Sequence, residues 1–476
     1  MTPDEFREYG HKLIDWIADY RATIASRPVR AAAAPGAVRA SLPNEPPAEP
    51  QPFDAIIADF ESKLVPGLTH WQHPRFFGYF PANAALSSVL GDLLSTGLGV
   101  LGLNWQACPA LTELEELTCD WVRQMVGLSA AWSGVIQDTA STASLLALLC
   151  ARERTTNFSL VRGGMQAETQ PLVVYVSTQS HSSIEKAALL AGFGRENVRA
   201  VPVDENHALR ADALEDLIRA DLVAGRLPCA VVATTGTTAS TALDPVAAVA
   251  EIAAKHNLWL HVDAAMAGSA MILPECRWMW DGVERADSIV FNPHKWLGAV
   301  FDCSLFYVRD TEHLIRVMST SPSYLRTAAD GQATNYRDWG IPLGRRFRAL
   351  KLWCLIRSEG VGRLQTRLRR DITNAKWLAE RVAATPNWRV IAPVPLQTVC
   401  VRHDPPGLTG EALDAHTRSW AERVNASGTA YLTPAVLDGR WMVRVSVGSL
   451  TTERADVEAL WNTMREAAES TPGSSK

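Results

Sequence analysis

No apolar run in the 476 residues reaches membrane-spanning length, and Met1 to Tyr20 lack the basic and then apolar order of a signal peptide. A cytoplasmic protein with no membrane partner is expected. Cys108, Cys119, Cys150, Cys229, Cys276, Cys303, Cys354 and Cys400 form no CxxC pair and no metal-like spacing, so they read as reduced, packed thiols. Positive charge is not in excess either. The chain has 46 Lys and Arg against 51 Asp and Glu, a formal charge of -5, which argues against nucleic acid as the main partner.

What is present is an alternation of strand-like and helical segments from about Ser87 to Ser358. The apolar runs Leu172–Val176, Ala230–Thr234, Leu258–Val262, Ser288–Phe291 and Ser304–Val308 read as strands, with helices predicted around Ser182–Ala191, Ala211–Ala224 and Pro245–His256. This pattern predicts an α/β fold with a mainly parallel, doubly wound sheet, in which ligands sit beyond the carboxyl ends of the strands. Polar residues follow those ends: His181 after the first run, Thr237 and Thr238 after the second, Asp263 at the end of the third, Lys295 after the fourth. Three parts are expected: an N-terminal helical segment and linker over 1–86, a large domain over 87–360, and a smaller α/β domain over 361–476 with a strand at Trp441–Val447 and a helix from about Thr452.

The first helix can be read locally. Thr2 caps it, Pro3 suits its first position and Glu5 completes a capping box, while Phe6, Leu13, Ile14 and Ile17 make an apolar stripe that needs a cover. The Ala/Pro-rich stretch Pro28–Pro52 reads as a linker laid over a surface.

Asn292-Pro293-His294-Lys295-Trp296 carries the most chemical information. A lysine at the end of a buried strand is poised to lose its proton and to form a Schiff base with an aldehyde cofactor. Asp138–Ser144 places small residues and hydroxyls before Leu145–Leu149, the pattern of a helix N-terminus that receives a phosphate.

With His261-Val262-Asp263-Ala264-Ala265, His70–Pro74, Gly134–Gln137, His181-Ser182-Ser183, Phe301–Ser304 and Ile341–Arg348, this segment resembles the pyridoxal-phosphate (PLP) decarboxylases of aromatic amino acids, and the bacterial DOPA decarboxylases look closest. The resemblance runs from Asp4 to about Trp461. It implies the type I, aspartate aminotransferase-like PLP fold, a homodimer, and conversion of an aromatic L-amino acid (DOPA, tyrosine, phenylalanine, tryptophan or 5-hydroxytryptophan) to its arylalkylamine and CO2.

It also implies roles. Lys295 would carry PLP, Asp263 would keep the pyridine nitrogen protonated, and His181 would stack on the ring. Ala140, Ser141, Asn292 and His294 would take the phosphate, with Thr238 beside the cofactor and Ala265 against the ring. Tyr324, in an irregular stretch running to about Trp339, would close over the site as part of a lid and return a proton to the α-carbon. Related aldehyde synthases typically carry phenylalanine there, so Tyr324 favours amine formation. Trp71, Tyr79, Phe80, Pro81 and Ala82 would line the substrate pocket, with Leu103 from the neighbouring subunit and Arg444 nearby. Animal DOPA decarboxylases have threonine at Ala82 and phenylalanine at Leu103. The alternatives are an aromatic aldehyde synthase on the same scaffold and a catalytically silent PLP-fold binding protein.

Three other signals are read as structural. Gly97–Gly102 matches GxGxxG, but no strand leads into it and no helix opens after it. His70 and His73 have no third metal ligand nearby, and no metal is expected. Arg345, Arg346 and Arg348 are too few for a polyanion site and are expected to form internal ion pairs.

Overall fold

The computed structural model describes residues 1–320 and 331–470. Tyr324 and the first part of the predicted lid lie outside the described residues. The chain divides into two compact units, Met1–Pro81 with Asn374–Ile391 and Val399–Lys476, and Ala82–Thr373 with Ala392–Thr398.

The larger unit is built on a seven-stranded sheet: β1 (Ser133–Gln137), β2 (Leu172–Ser177), β3 (Val198–Val201), β4 (Leu227–Thr234), β5 (Trp259–Asp263), β6 (Ser288–Phe291) and β7 (Ser304–Val308). Their order is β1-β7-β6-β5-β4-β2-β3. β7 runs antiparallel to both neighbours, and the remaining pairs are parallel. Every residue of β2, β5, β6 and β7 is buried, as expected of strands covered on both faces. Helix Ala140–Thr155 buries Leu146, Ala147, Leu148, Cys150 and Ala151 against this sheet. The predicted helices appear as Ser182–Leu190, Ala211–Val223 and Val246–Lys255. The architecture is α/β with a mainly parallel, doubly wound sheet.

In the same unit the arginines form internal ion pairs: Arg345 with Glu115, Arg346 with Asp92, Arg348 with Asp302. The GxGxxG stretch ends helix Leu86–Leu98. Gly99 takes φ +62 as its C-cap, a conformation open to glycine at no steric cost.

The other unit contains the four-stranded sheet of β8 (Trp388–Val390), β9 (Thr398–His403), β10 (Thr433–Leu437) and β11 (Arg440–Ser446), in the order β10-β11-β9-β8. Trp388 packs edge-on against Trp420 and Trp461, of helices Gly410–Ala426 and Arg454–Glu469. Its first helix, Pro3–Thr23, has the full capping box between Thr2 and Glu5, and buries none of its residues. Val29, in the Ala/Pro-rich stretch, is fully buried and donates its N–H to the carbonyl of Gly428 at 2.8 Å.

All eight cysteines are free thiols, and six of them are buried. Among the described residues no cluster of three potential metal ligands exists, and no helix is long and apolar enough to cross a membrane.

Candidate active site

β1, β2, β4, β5 and β6 run in the same direction, so their carboxyl ends face one edge of the sheet. Asp263 is the last residue of β5 and is buried. Its Oδ1 accepts the N–H of Ala265 at 3.0 Å, and the Ala265 carbonyl accepts the N–H of Asn292 at 2.9 Å. Asp263, Ala265 and the start of the lysine segment are thus joined by two hydrogen bonds.

His181 caps helix Ser182–Leu190 beyond β2. Its Nδ1 lies 3.1 Å from the Ser183 N–H, which can only donate, so Nδ1 is the acceptor and Nε2 carries the proton. Partial desolvation holds this imidazole below its ordinary pKa; the charge of Asp263 pulls it up and that of Lys295 pushes it down. A neutral imidazole therefore lies within the fields of the carboxylate and the lysine, all three brought to the same edge by different strands.

Lys295 sits in the short turn Pro293–Leu297 beyond β6, with φ -92 and ψ -107, outside helical values. Gly298 ends the turn at φ +104. His294 is buried, and its Nδ1 accepts the Cys303 N–H at 3.0 Å, which fixes the proton on Nε2. Burial is the main cause of its low pKa, about 3, so this imidazole is neutral at physiological pH. Asn292 accepts the hydroxyl of Ser304 through Oδ1 at 2.7 Å, which orients its amide nitrogen as the donor end.

Ala140 and Ser141 open helix Ala140–Thr155, whose N-cap Thr139 makes no side-chain cap hydrogen bond. The first amides of that helix keep their donors for an anion. Thr238 lies half-buried in the turn after β4, whereas the Thr237 hydroxyl is used internally, near Ser240 and accepting the N–H of Ala242. A lysine, a buried carboxylate, two neutral imidazoles and an uncapped helix start make a donor set that fits an aldehyde cofactor with a basic ring nitrogen and a phosphate.

The expected substrate residues divide between the units. In one, the Trp71 and Tyr79 rings stack at 5.5 Å, Trp71 also packs on Phe76, and the Tyr79 hydroxyl lies 3.3 Å from that of Tyr431. Arg444 is buried, with its guanidinium 4.8 Å from the centre of the Phe80 ring, and Pro81 is buried. Ala82 and Leu103 are half-buried residues of the other unit. Tyr431 and Phe76 were missed in the sequence, since no local pattern links Tyr431 to Tyr79 across 352 residues. His261, part of the motif quoted from the sequence, is a core residue within β5. It is fully buried on β5, its Nδ1 lies 2.9 Å from the Ser288 hydroxyl, and burial lowers its pKa to about 4.

Comparison with known proteins points to the same class of cofactor. The family model described as pyridoxal-dependent decarboxylase conserved domain matches residues 35–404. The chain belongs to the pyridoxal-dependent decarboxylase family, whose cofactor is pyridoxal 5'-phosphate. It is 40% identical to phenylacetaldehyde synthase of Arabidopsis thaliana, over 98% of this chain and 96% of that protein. It is also 40% identical to tyrosine decarboxylase 4 of Petroselinum crispum, over 98% and 94% respectively. The crystal structure of Oryza sativa TDC with PLP and tryptamine superposes with a TM-score of 0.95 at 39% identity, covering 98% of both chains. The expected likeness to bacterial DOPA decarboxylases is corrected by these matches, which are plant enzymes.

Proposed function

We propose that the protein decarboxylates an aromatic L-amino acid to the arylalkylamine and CO2, with pyridoxal 5'-phosphate held at Lys295. The observation that carries this reading is the delivery of Lys295, Asp263 and a neutral His181 to one sheet edge. Bound there, the cofactor supplies a sink for the electron pair left when the carboxylate departs. Asp263 keeps the proton on the ring nitrogen, and its burial strengthens that contact. His181 is fixed by Ser183 and would stack on the ring, against which Ala265 would pack. Ala140, Ser141, Asn292 and His294 would take the phosphate, with Thr238 beside the cofactor, and neutral His294 has its Nε2 proton to donate there. Tyr324 returns a proton to the α-carbon.

Trp71, Tyr79, Phe80, Pro81 and Ala82 would line the substrate pocket, with Leu103 from the neighbouring subunit; aromatic residues suit a flat apolar side chain, and Arg444 supports Phe80. Relatives named for tyrosine and tryptophan support the aromatic substrate class. A homodimer is part of the reading. Leu86, Leu90, Leu93, Leu94 and Leu98 of one helix are each about half exposed, and the first helix leaves Phe6 61% exposed, apolar surface of the kind a partner subunit covers. Segment 1–86 would serve dimerisation, 87–360 the cofactor and 361–476 the smaller domain, in a cytoplasmic enzyme.

The likeness to phenylacetaldehyde synthase supports a second reading, decarboxylation with oxidative deamination. One assay separates them. Purified protein given phenylalanine, tyrosine, DOPA, tryptophan and 5-hydroxytryptophan should release CO2 and amine in equal amounts. Aldehyde, ammonia and peroxide as main products would establish the second reading, and no turnover on any of the five would indicate a silent binding protein.

A further inference from the structure

The turn that carries Lys295 is held only in part by its own backbone. Inside it, Lys295 N–H bonds the Asn292 carbonyl at 2.9 Å, and Gly298 and Ala299 both bond the Pro293 carbonyl at 3.0 Å. The carbonyls of His294, Lys295, Trp296 and Leu297 accept from elsewhere. Asn83 takes the first two, its backbone N–H reaching the His294 oxygen at 3.1 Å and its Nδ2 the Lys295 oxygen at 2.9 Å. Arg367 takes the next two, one Nη2 reaching the Trp296 oxygen at 2.9 Å and the Leu297 oxygen at 2.7 Å. Asp371, one helical turn after Arg367, is fully buried and accepts the Trp296 indole N–H at 2.9 Å. Two residues far from this turn in the chain therefore satisfy four consecutive carbonyls around the lysine.

We propose that Asn83 and Arg367, with Asp371 behind Trp296, are positioning residues for Lys295: they hold the turn so that the lysine amine meets the cofactor and substrate at one fixed distance. The inference rests on Lys295 being the cofactor-bearing residue. Asn83 is 1% exposed, Trp296 1% and Leu297 0%, and Lys295 is half-buried, so a carbonyl released here finds little water to replace its donor. The turn must then shift to recover a partner, and Lys295 shifts with it. Each acts through the main chain or the indole.

The test uses Asn83→Ala, Arg367→Met and the milder Arg367→Lys, all in the full chain. Misplacement of a reacting group by about 1 Å can cost ~10²-fold, so kcat should fall by roughly 10- to 100-fold in Asn83→Ala and Arg367→Met, with KM changed by less than about threefold. Arg367→Lys should recover part of the loss, since an ammonium reaches one carbonyl more readily than two. In cofactor-free protein, hydrogen exchange of the peptide spanning 292–299 should quicken in the same variants, with the peptide spanning 172–177 unchanged. Wild-type exchange at 292–299, or quickened exchange with wild-type kcat, overturns the proposal. If Arg367→Met fails to fold, Asn83→Ala decides alone, because it removes one amide and leaves the backbone donor. Lys295→Ala is the separate control. Borohydride labelling with PLP that persists in it refutes the underlying reading of Lys295. Labelling that disappears leaves that reading standing, whatever the other variants do.

Discussion

Glu115 and Arg345 form a buried ion pair, Nη2 to Oε1 2.6 Å, that also closes the β1 edge of the large sheet. β1 is the edge strand, and its Ile136 donates its N–H to Glu115 Oε1 at 2.8 Å while its carbonyl accepts Arg345 Nη2 at 2.6 Å. The two side chains thus replace a missing neighbouring strand. β1 leads through Gln137 to Ala140 and Ser141, so the same pair steadies the approach to the expected phosphate site.

Removing one partner should therefore be costly. Arg345→Leu leaves the Glu115 carboxylate buried without its cation, and a loss of about 3–5 kcal/mol is expected in denaturant unfolding. The double variant Glu115→Leu/Arg345→Leu should recover part of that loss but not all, because Ile136 keeps an unpaired N–H and carbonyl. A single variant as stable as wild type would mean that the edge is closed by other groups.

Purified protein should be yellow, and borohydride should fix its cofactor onto Lys295, as read by peptide mass. Lys295→Ala should lose both colour and label. A colourless wild-type protein that stays unlabelled after incubation with PLP would contradict the proposed site.

Tyr324→Phe is expected to keep cofactor binding and to slow amine formation by roughly 10²–10⁴-fold, the usual worth of a positioned general acid. Some aldehyde should appear as oxygen competes for the unprotonated carbon. Wild-type rate and amine yield would move the proton donor elsewhere, with His181 the first candidate.

Asp244 offers a pH test away from the chemistry. Burial pushes its carboxyl up from 3.8 to about 7, against the N–H groups of Thr234 and Leu209, which bond its two oxygens at 2.7 Å each. With the folded pKa above the unfolded one, the native state binds the proton more tightly, so the contribution is complete below about pH 4 and lost as pH rises through about 7. The stability difference between wild type and Asp244→Asn should accordingly shrink between pH 4 and pH 8. A difference that grows over that range would mean that the two N–H donors outweigh burial and keep the carboxylate charged.

Local chemistry made much of this protein legible in its sequence. The Thr2-Pro3-Glu5 cap acts within one turn, and the first helix begins where those residues put it. The buried runs of β2, β4, β5, β6 and β7 are apolar enough to be read as strands, and a parallel sheet sends their following residues to one edge, which is why Asp263 and Lys295 could be placed there in advance. β1 and β3 escaped notice for a physical reason: Ser133-Gly134 and the partly exposed Val198–Ala200 carry little apolar pattern, and both strands are defined by their partners. The supports of the site were hidden for the same reason. Asn83 lies 212 residues from Lys295, Arg367 lies 71 from Trp296, and Glu115 lies 230 from Arg345. The sequence by itself determined which polar residues stand at the strand ends and helix caps, because propensity, capping and strand-end position depend on near neighbours. Only the tertiary structure decided which distant donors hold them, because a buried carbonyl takes whichever partner the packed chain brings within hydrogen-bond reach.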